Sequence, residues 1–297
     1  MANSTCPMFE NRKMAADDII QKARETINQQ NPQRKNLVWL ELNGCSGNII
    51  SILDGEDPGF GYLLLEMTNF IYSNSLSFAE DGEATDQLLN MIGKDYILAV
   101  EGAVSRKDNG SYNIIAKKGN TPITGLEAAK MLGQNAAYVI AVGNCASYGG
   151  ISAANPNPSD CTGIQSVIDK KVIKLTGCPC NPRWFMGTLA HILLYDEMPL
   201  LDKNDRPLLF YGDLIHDFCP RRTYFNQGIF AKKLGEKTCM FKLGCRGPVT
   251  RTDCPTGLWN SHTNWPVGSD TPCIGCAQFG FPDAMEPFIS YDTYKGD

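Results

Sequence analysis

The sequence predicts an α/β protein: a mostly parallel sheet covered by helices on both faces, followed by an irregular, cysteine-rich region. Three observations carry that expectation. Short, nearly continuous apolar runs recur at 37–42, 96–100, 138–142 and 172–175, the pattern of strands buried on both sides. Helical patterns separate them, over about 61–72 and 125–135. Beyond His216 the periodicity fades, and Cys219, Cys239, Cys245, Cys254, Cys273 and Cys276 crowd among Gly, Pro and Trp.

At 297 residues the chain can bury a sizeable core, as one large domain or two modest ones. A net charge of -5 and a pI near 5.3 argue against nucleic acid as partner. No apolar run approaches the roughly 20 residues of a membrane span. The first residues show neither an apolar signal core nor paired arginines. The expectation is a cytoplasmic protein, attached to a membrane, if at all, through a partner. Its 12 cysteines would then be mostly free or metal-bound.

In chain order, residues 1–35 read as an N-terminal appendage, with Ala16, Ile19, Ile20, Ala23 and Ile27 on one helical face. Cys6 has no assigned role there, nor Cys161 later. Residues 36–205 form the expected sheet domain, of flavodoxin-like kind. Its first strand exits into the turn Asn43-Gly44-Cys45-Ser46-Gly47-Asn48, and the next apolar run ends in Glu101-Gly102. The third run ends in Gly143-Asn144-Cys145 and the fourth in Gly177-Cys178-Pro179-Cys180. Ligands of open parallel sheets bind outside the carboxyl ends of the strands. Cys45, Cys145, Cys178 and Glu101 are therefore expected at one edge of one sheet. A helix from Trp184 to Met198, opened by Pro182, closes the domain. His191 within it reads as a core or boundary residue, and 207–211 as a further strand or a crossover.

Residues 206–297 form the cysteine-rich domain. Thiolate-bound metal can hold together a segment without a periodic core, and iron-sulfur clusters are the commonest form needing this many cysteines. By spacing, His216, Cys219, Cys239 and Cys245 make a four-ligand set. Cys254, Cys273 and Cys276 remain, one thiolate short, and Pro266 between them has no donor to offer. A three-iron cluster fits that shortage. The competing accounts are disulfides, which suit small secreted domains, and a structural zinc of Cys3His type. His262 lies in a polar tract read as a solvated loop. Several redox centres in one chain imply a relay. No Ser-His-Asp order with elbow glycines, no Walker-type phosphate loop and no dinucleotide fingerprint occurs, so the chemistry is expected on a partner or a further cofactor.

At this point the residues resemble a known family, the small, electron-transferring subunit of nickel-iron hydrogenases. Trp39-Leu40 with the Cys45 turn, Glu101-Gly102, Gly143-Asn144-Cys145-Ala146 and Gly177-Cys178-Pro179 look like its sheet-borne motifs. His216-x-x-Cys219-Pro220-Arg221-Arg222, Leu243-Gly244-Cys245-Arg246-Gly247-Pro248, Trp265-Pro266-Val267 and Pro272-Cys273-Ile274-Gly275-Cys276 look like those of its C-terminal half. The resemblance implies a proximal 4Fe-4S cluster on Cys45, Cys145 and Cys178, facing the nickel-iron site of an obligate large subunit. It implies a medial 3Fe-4S cluster on Cys254, Cys273 and Cys276. A distal 4Fe-4S cluster would sit on His216, Cys219, Cys239 and Cys245, near the surface and a downstream electron acceptor. An acidic surface is expected there.

One departure from the family pattern concerns the first turn. The usual Cys-x-Gly-Cys is here Cys45-Ser46-Gly47-Asn48, so the proximal cluster lacks a thiolate. Asn48 is preferred as the replacement for its place in the turn, as in uptake hydrogenases with a similar Cys-Ser-Gly-Asn turn. Cys180 is the alternative, and Glu101 is a third oxygen donor nearby. The implied function is relay of electrons from H2 oxidation. The alternatives are a regulatory H2-sensing subunit, the related complex I subunit, which carries only the sheet-borne cluster, and a zinc-stapled interaction protein.

Overall fold

The computed structural model describes residues 7–30, 33–77 and 79–285. Cys6 lies outside them. The chain opens with helix α1 (Pro7–Gln30), followed by strand β1 (Lys35–Glu41), α2 (Gly47–Leu53), β2 (Thr68–Ser73), α3 (Asp81–Leu89) and β3 (Tyr96–Glu101). Then come α4 (Gly125–Asn135), β4 (Tyr138–Val142), α5 (Gly143–Tyr148), β5 (Val172–Leu175) and α6 (Pro182–Tyr195). The five strands form one parallel sheet in the order β2-β1-β3-β4-β5. That is the flavodoxin-like order, whose switch point lies between β1 and β3.

Alternation along each strand sends side chains to two covered faces. Leu37, Trp39, Ile97 and Ile140 pack with α1 and α6, and Trp39 meets Phe185 edge-on at 5.2 Å. Val38, Leu40, Leu98 and Val139 pack on the other face with Ala128, Ala129 and Leu132 of α4. That helix begins with the capping box Thr124/Glu127. The apolar face expected at 16–27 is the one that is buried: Ala16, Ile20 and Ala23 join the sheet's core, and α1 docks on α6.

Two expectations are corrected. The periodicity predicts helix over 61–72, whereas the structure has helix only at Phe60–Tyr62 and a π-helical turn at Leu63–Met67, after which the chain extends as β2. Thr68-Asn-Phe-Ile-Tyr-Ser73 is rich in β-branched and aromatic residues, and pairing along β1 decides its state. Leu208–Tyr211 is a single helical turn, not a strand, with Phe210 and Tyr211 buried.

The cysteine-rich part consists of loops and single helical turns, such as Ile215–Phe218 and Cys254–Gly257. It shares the sheet's core, because Ile215, Trp265, Val267 and Ala277 belong to the same apolar cluster as Trp39 and Trp184. Polar ties reinforce the contact. Asp253 accepts from Arg183 and from Trp184 Nε1, and the fully buried Arg206 bonds Asp202 and the Ala277 carbonyl. Among the described residues, no helix is long and apolar enough to cross a membrane.

Candidate metal centres

Register aligns the strand ends. Glu41 pairs with Glu101, Glu101 with Val142, and Val142 with Leu175, so the turns carrying Cys45, Cys145 and Cys178 leave from one edge. Backbone bonds lace these turns together: Leu42 N–H to Glu101 O at 2.7 Å and Asn144 N–H to Gly177 O at 2.8 Å. Gly102 is required here. Its φ is +88°, and a Cβ would stand 2.8 Å from the backbone carbon of Leu42.

Burial pushes the Cys178 thiol up to about 12, and repulsion from Cys145, Cys276 and Cys45 adds to it. Cys145 is likewise raised by burial, against hydrogen bonding to the backbone amides of Ser152 and Ile151. Cys45 is exposed. The sheet edge thus gathers three thiols as expected.

Two strand-end carboxylates fix the first turn. Glu101, 2% exposed, accepts four N–H donors: Asn48 N at 2.7 Å, Asn48 Nδ2 at 3.0 Å, Ile49 N at 3.0 Å and Trp39 Nε1 at 3.1 Å. It therefore caps the amino end of α2 from the neighbouring strand, where Ser46 makes no cap bond of its own. Glu41 accepts from Ser46 Oγ, Ser73 Oγ and Ser75 N. Its role is absent from the sequence reading because β2, which brings Ser73 and Ser75 alongside, reads there as helix.

Asn48 is buried, and its amide oxygen accepts the Cys180 N–H at 2.8 Å. Gly143, at φ +82°, leaves the room it occupies, since a Cβ there would fall 2.4 Å from Asn48 Oδ1. Cys180 is wholly buried in the apolar core, its S–H directed at the Asn181 carbonyl. Burial, with the charge of Glu101 beside it, raises that thiol well above its ordinary value.

Cys178, Cys254, Cys273 and Cys276 line a single cavity of about 430 Å³ with Trp259, Trp265 and Thr252 among its walls. Thr252 Oγ1 and Trp259 Nε1 both donate to Cys254 Sγ, at 3.0 and 3.4 Å. Burial pushes Cys254 up to about 12 and raises Cys273 and Cys276. His216, Cys219, Cys239 and Cys245 line a second, narrower pocket with Arg221 and Phe241. Burial pushes Cys219 up to about 11 and raises Cys239 and Cys245, while it lowers His216. The three sets adjoin: Cys178 lines the same cavity as Cys254, Cys273 and Cys276, and the Cys273 N–H donates to Cys245 Sγ at 3.4 Å.

The donor sets discriminate between the groups they could hold. All eleven described cysteines are free, which removes the disulfide account for them. Among the described residues, no three Cys, His, Asp or Glu converge tightly enough for a single metal ion. Tetrahedral zinc needs four donors about 2.0–2.3 Å from one point, whereas a cluster presents several irons to donors set farther apart. The thiolate-rich sets, N–H···S bonds and medial cavity suit iron-sulfur clusters. The distal pocket has about 20 Å³ of free volume, so its side chains must move outward to admit one. His191 lies beside Tyr195 on α6, and His262 is exposed with Nδ1 2.8 Å from the Gly257 carbonyl; neither lines the two pockets. Cys161 is buried against Asn43 and Ser159, away from both.

Comparisons with known proteins agree with this geometry. Residues 211–289 match the family described as the C-terminal part of the NiFe/NiFeSe hydrogenase small subunit, and residues 45–192 match NADH ubiquinone oxidoreductase, 20 Kd subunit. The chain is 37% identical over 263 residues to the periplasmic [NiFe] hydrogenase small subunit of Solidesulfovibrio fructosivorans, covering 86% of this chain and 81% of that one. It is 36% identical over 260 residues to the hydrogenase-2 small chain of Escherichia coli, covering 84% and 68%. A solved [NiFeSe] hydrogenase of Desulfomicrobium baculatum superposes with a TM-score of 0.82 at 30% identity, over 86% of this chain and 99% of that one. The C-terminal match separates the chain from complex I subunits, and with the two halves placed together it belongs to the nickel-iron hydrogenase small-subunit family.

Proposed function

We propose that this chain relays electrons from H2 oxidation, which takes place at the nickel-iron centre of a large-subunit partner, to a downstream acceptor. The observation that carries the reading is the adjacency of successive thiol sets, with Cys178 in one cavity with Cys254, Cys273 and Cys276, and the Cys273 N–H bonded to Cys245 Sγ. When bound, iron-sulfur clusters supply one-electron steps at potentials set by charge, hydrogen bonds to sulfur and exposure.

Cys45, Cys145 and Cys178 would hold a proximal 4Fe-4S cluster, Cys254, Cys273 and Cys276 a medial 3Fe-4S cluster, and His216, Cys219, Cys239 and Cys245 a distal 4Fe-4S cluster. Asn48 takes the fourth proximal position. Its amide is held at both ends, by the Cys180 N–H and by Glu101, and its oxygen keeps a second lone pair. Cys180 is the weaker donor, since ionising a thiol buried in the apolar core beside a glutamate is costly. Glu101 spends all its acceptor capacity on four N–H groups and acts as a clamp on the turn, not as a ligand. Thr252, Trp259 and the Cys273 amide stabilise thiolates through N–H or O–H donors. The exposed Cys45 edge is flanked by the exposed apolar side chains Ile50 and Ile151, which suit burial by the large subunit.

Metal analysis of the co-purified complex tests this. About eleven irons per small chain, counted as four, three and four, and a nickel-bearing companion are expected; zinc in place of iron would overturn the reading.

A further inference from the structure

The chain as a whole is acidic, with 27 Lys and Arg against 32 Asp and Glu. Residues 213–251, which carry the four distal donors, hold eight Lys and Arg against three Asp and Glu. Among these residues Arg222, Lys232, Lys233, Lys237 and Arg251 are exposed against Asp217 alone, so the acidic surface expected at this end is not what this segment presents. The carboxylates here are already engaged. Asp217 pairs with Arg222, Asp270 with Arg221 and Lys237, and Glu236 accepts the backbone N–H of Lys232. Lys232 and Lys233 are exposed and take part in none of these ion pairs.

The turn bearing them is tied to the site, since the Ala231 N–H donates to the Cys239 carbonyl at 2.8 Å. Phe225 meets His216 edge-on at 4.6 Å and also contacts Phe230 and Phe241, so an aromatic layer lies beside the imidazole. On either side of the lysines, Ile229 and Leu234 are 44% and 57% exposed. Exposed apolar side chains beside a patch of net positive charge are the make-up of a transient docking face, where charge sets encounter rate and partner choice.

We propose that this face docks an acidic electron-carrier protein. The inference rests on the relay reading, because it takes the His216 end as the exit. Each H2 oxidised releases two protons and two electrons, and the electrons leave singly to reduce two carrier molecules by one electron each. The surface lysines lie on a turn, not along an amphipathic helix, which favours a globular partner over a lipid surface.

The test uses the intact heterodimer with cytochrome c, which is basic, and succinylated cytochrome c, which keeps the haem and reverses the protein charge. At low salt the succinylated form is expected to bind tighter in the absence of H2, and to be reduced under H2 faster by about tenfold. Both advantages should collapse above ~0.3 M salt. Lys232→Glu with Lys233→Glu should erase the preference in binding and in rate, while H2/D2O exchange, which needs no carrier, stays unchanged. Equal binding of the two forms, a preference that survives charge reversal, or a double variant that loses only affinity for anionic lipid vesicles would overturn the proposal. A complex that exchanges isotopes yet reduces neither cytochrome nor a small dye would instead refute the relay reading itself.

Discussion

Replacing Glu101 with Gln isolates what the buried carboxylate does. Each of its oxygens takes two donors, Asn48 N and Asn48 Nδ2 on Oε1, and Trp39 Nε1 and Ile49 N on Oε2. A glutamine offers one oxygen, so in either orientation its NH2 faces two N–H groups that it cannot accept. Losing two bonds to a charged acceptor costs about 3–6 kcal/mol. Burial raises the pKa of Glu101, so removing its charge recovers part of that cost. The net expectation is about 2–4 kcal/mol of destabilisation, centred on the Cys45–Asn48 turn. At about 2–4 °C per kcal/mol, the apparent melting midpoint of the heterodimer should fall by about 4–16 °C at a fixed scan rate. Trp39→Phe, which removes one donor only, should cost about 1 kcal/mol. A Glu101→Gln variant that melts within about 1 °C of the parent would refute the clamp.

Further outcomes follow from the same geometry. Cys180→Ser should leave the iron content unchanged, whereas Asn48→Ala should alter the proximal cluster's paramagnetic signal; the reverse pattern would make Cys180 the ligand. Asp253→Ala deprives the nearly buried Arg183 and Trp184 Nε1 of a partner, and should destabilise the junction beside Cys254 by about 3 kcal/mol in denaturant titrations. An unchanged midpoint would show that this tie is idle. In the cluster-free chain, burial keeps Cys219 protonated up to about 11, and Cys178 and Cys254 up to about 12. An unfolded chain releases those protons above about 8.5, so stability is full below that pH and declines as pH climbs toward the folded values. Denaturation midpoints of stripped protein at pH 8, 9 and 10 should therefore decrease in order, and a flat or rising series would contradict the burial of these thiols.

The sheet was legible because strands buried on both faces leave continuous apolar runs, and the runs ending at Leu42, Val100, Val142 and Leu175 are such strands. β2 was not legible, because an edge strand half covered by other elements carries no such run, and Leu63–Met67 before it mimics helical spacing. Thiol spacing anticipated which cysteines share a pocket, since cysteine has few other uses in this number. The partners that tune them could not be read the same way. Glu41 and the Arg183–Asp253 pair act across long sequence separations, whereas Thr252 and Trp259 lie two and five residues from Cys254, and no local pattern marks a residue whose function is to donate to a sulfur or cap a distant helix. The basic character of the distal segment was not legible from the net charge, which carries no information about how charge is distributed over a surface.

The most direct measurement is low-temperature electron paramagnetic resonance of the anaerobic heterodimer, before and after exposure to H2. Signals of three distinguishable iron-sulfur centres are expected, with H2 alone sufficient to reduce them. Spectra that stay silent under H2 and dithionite alike, from a colourless preparation whose thiols hold zinc, would contradict the relay at its root.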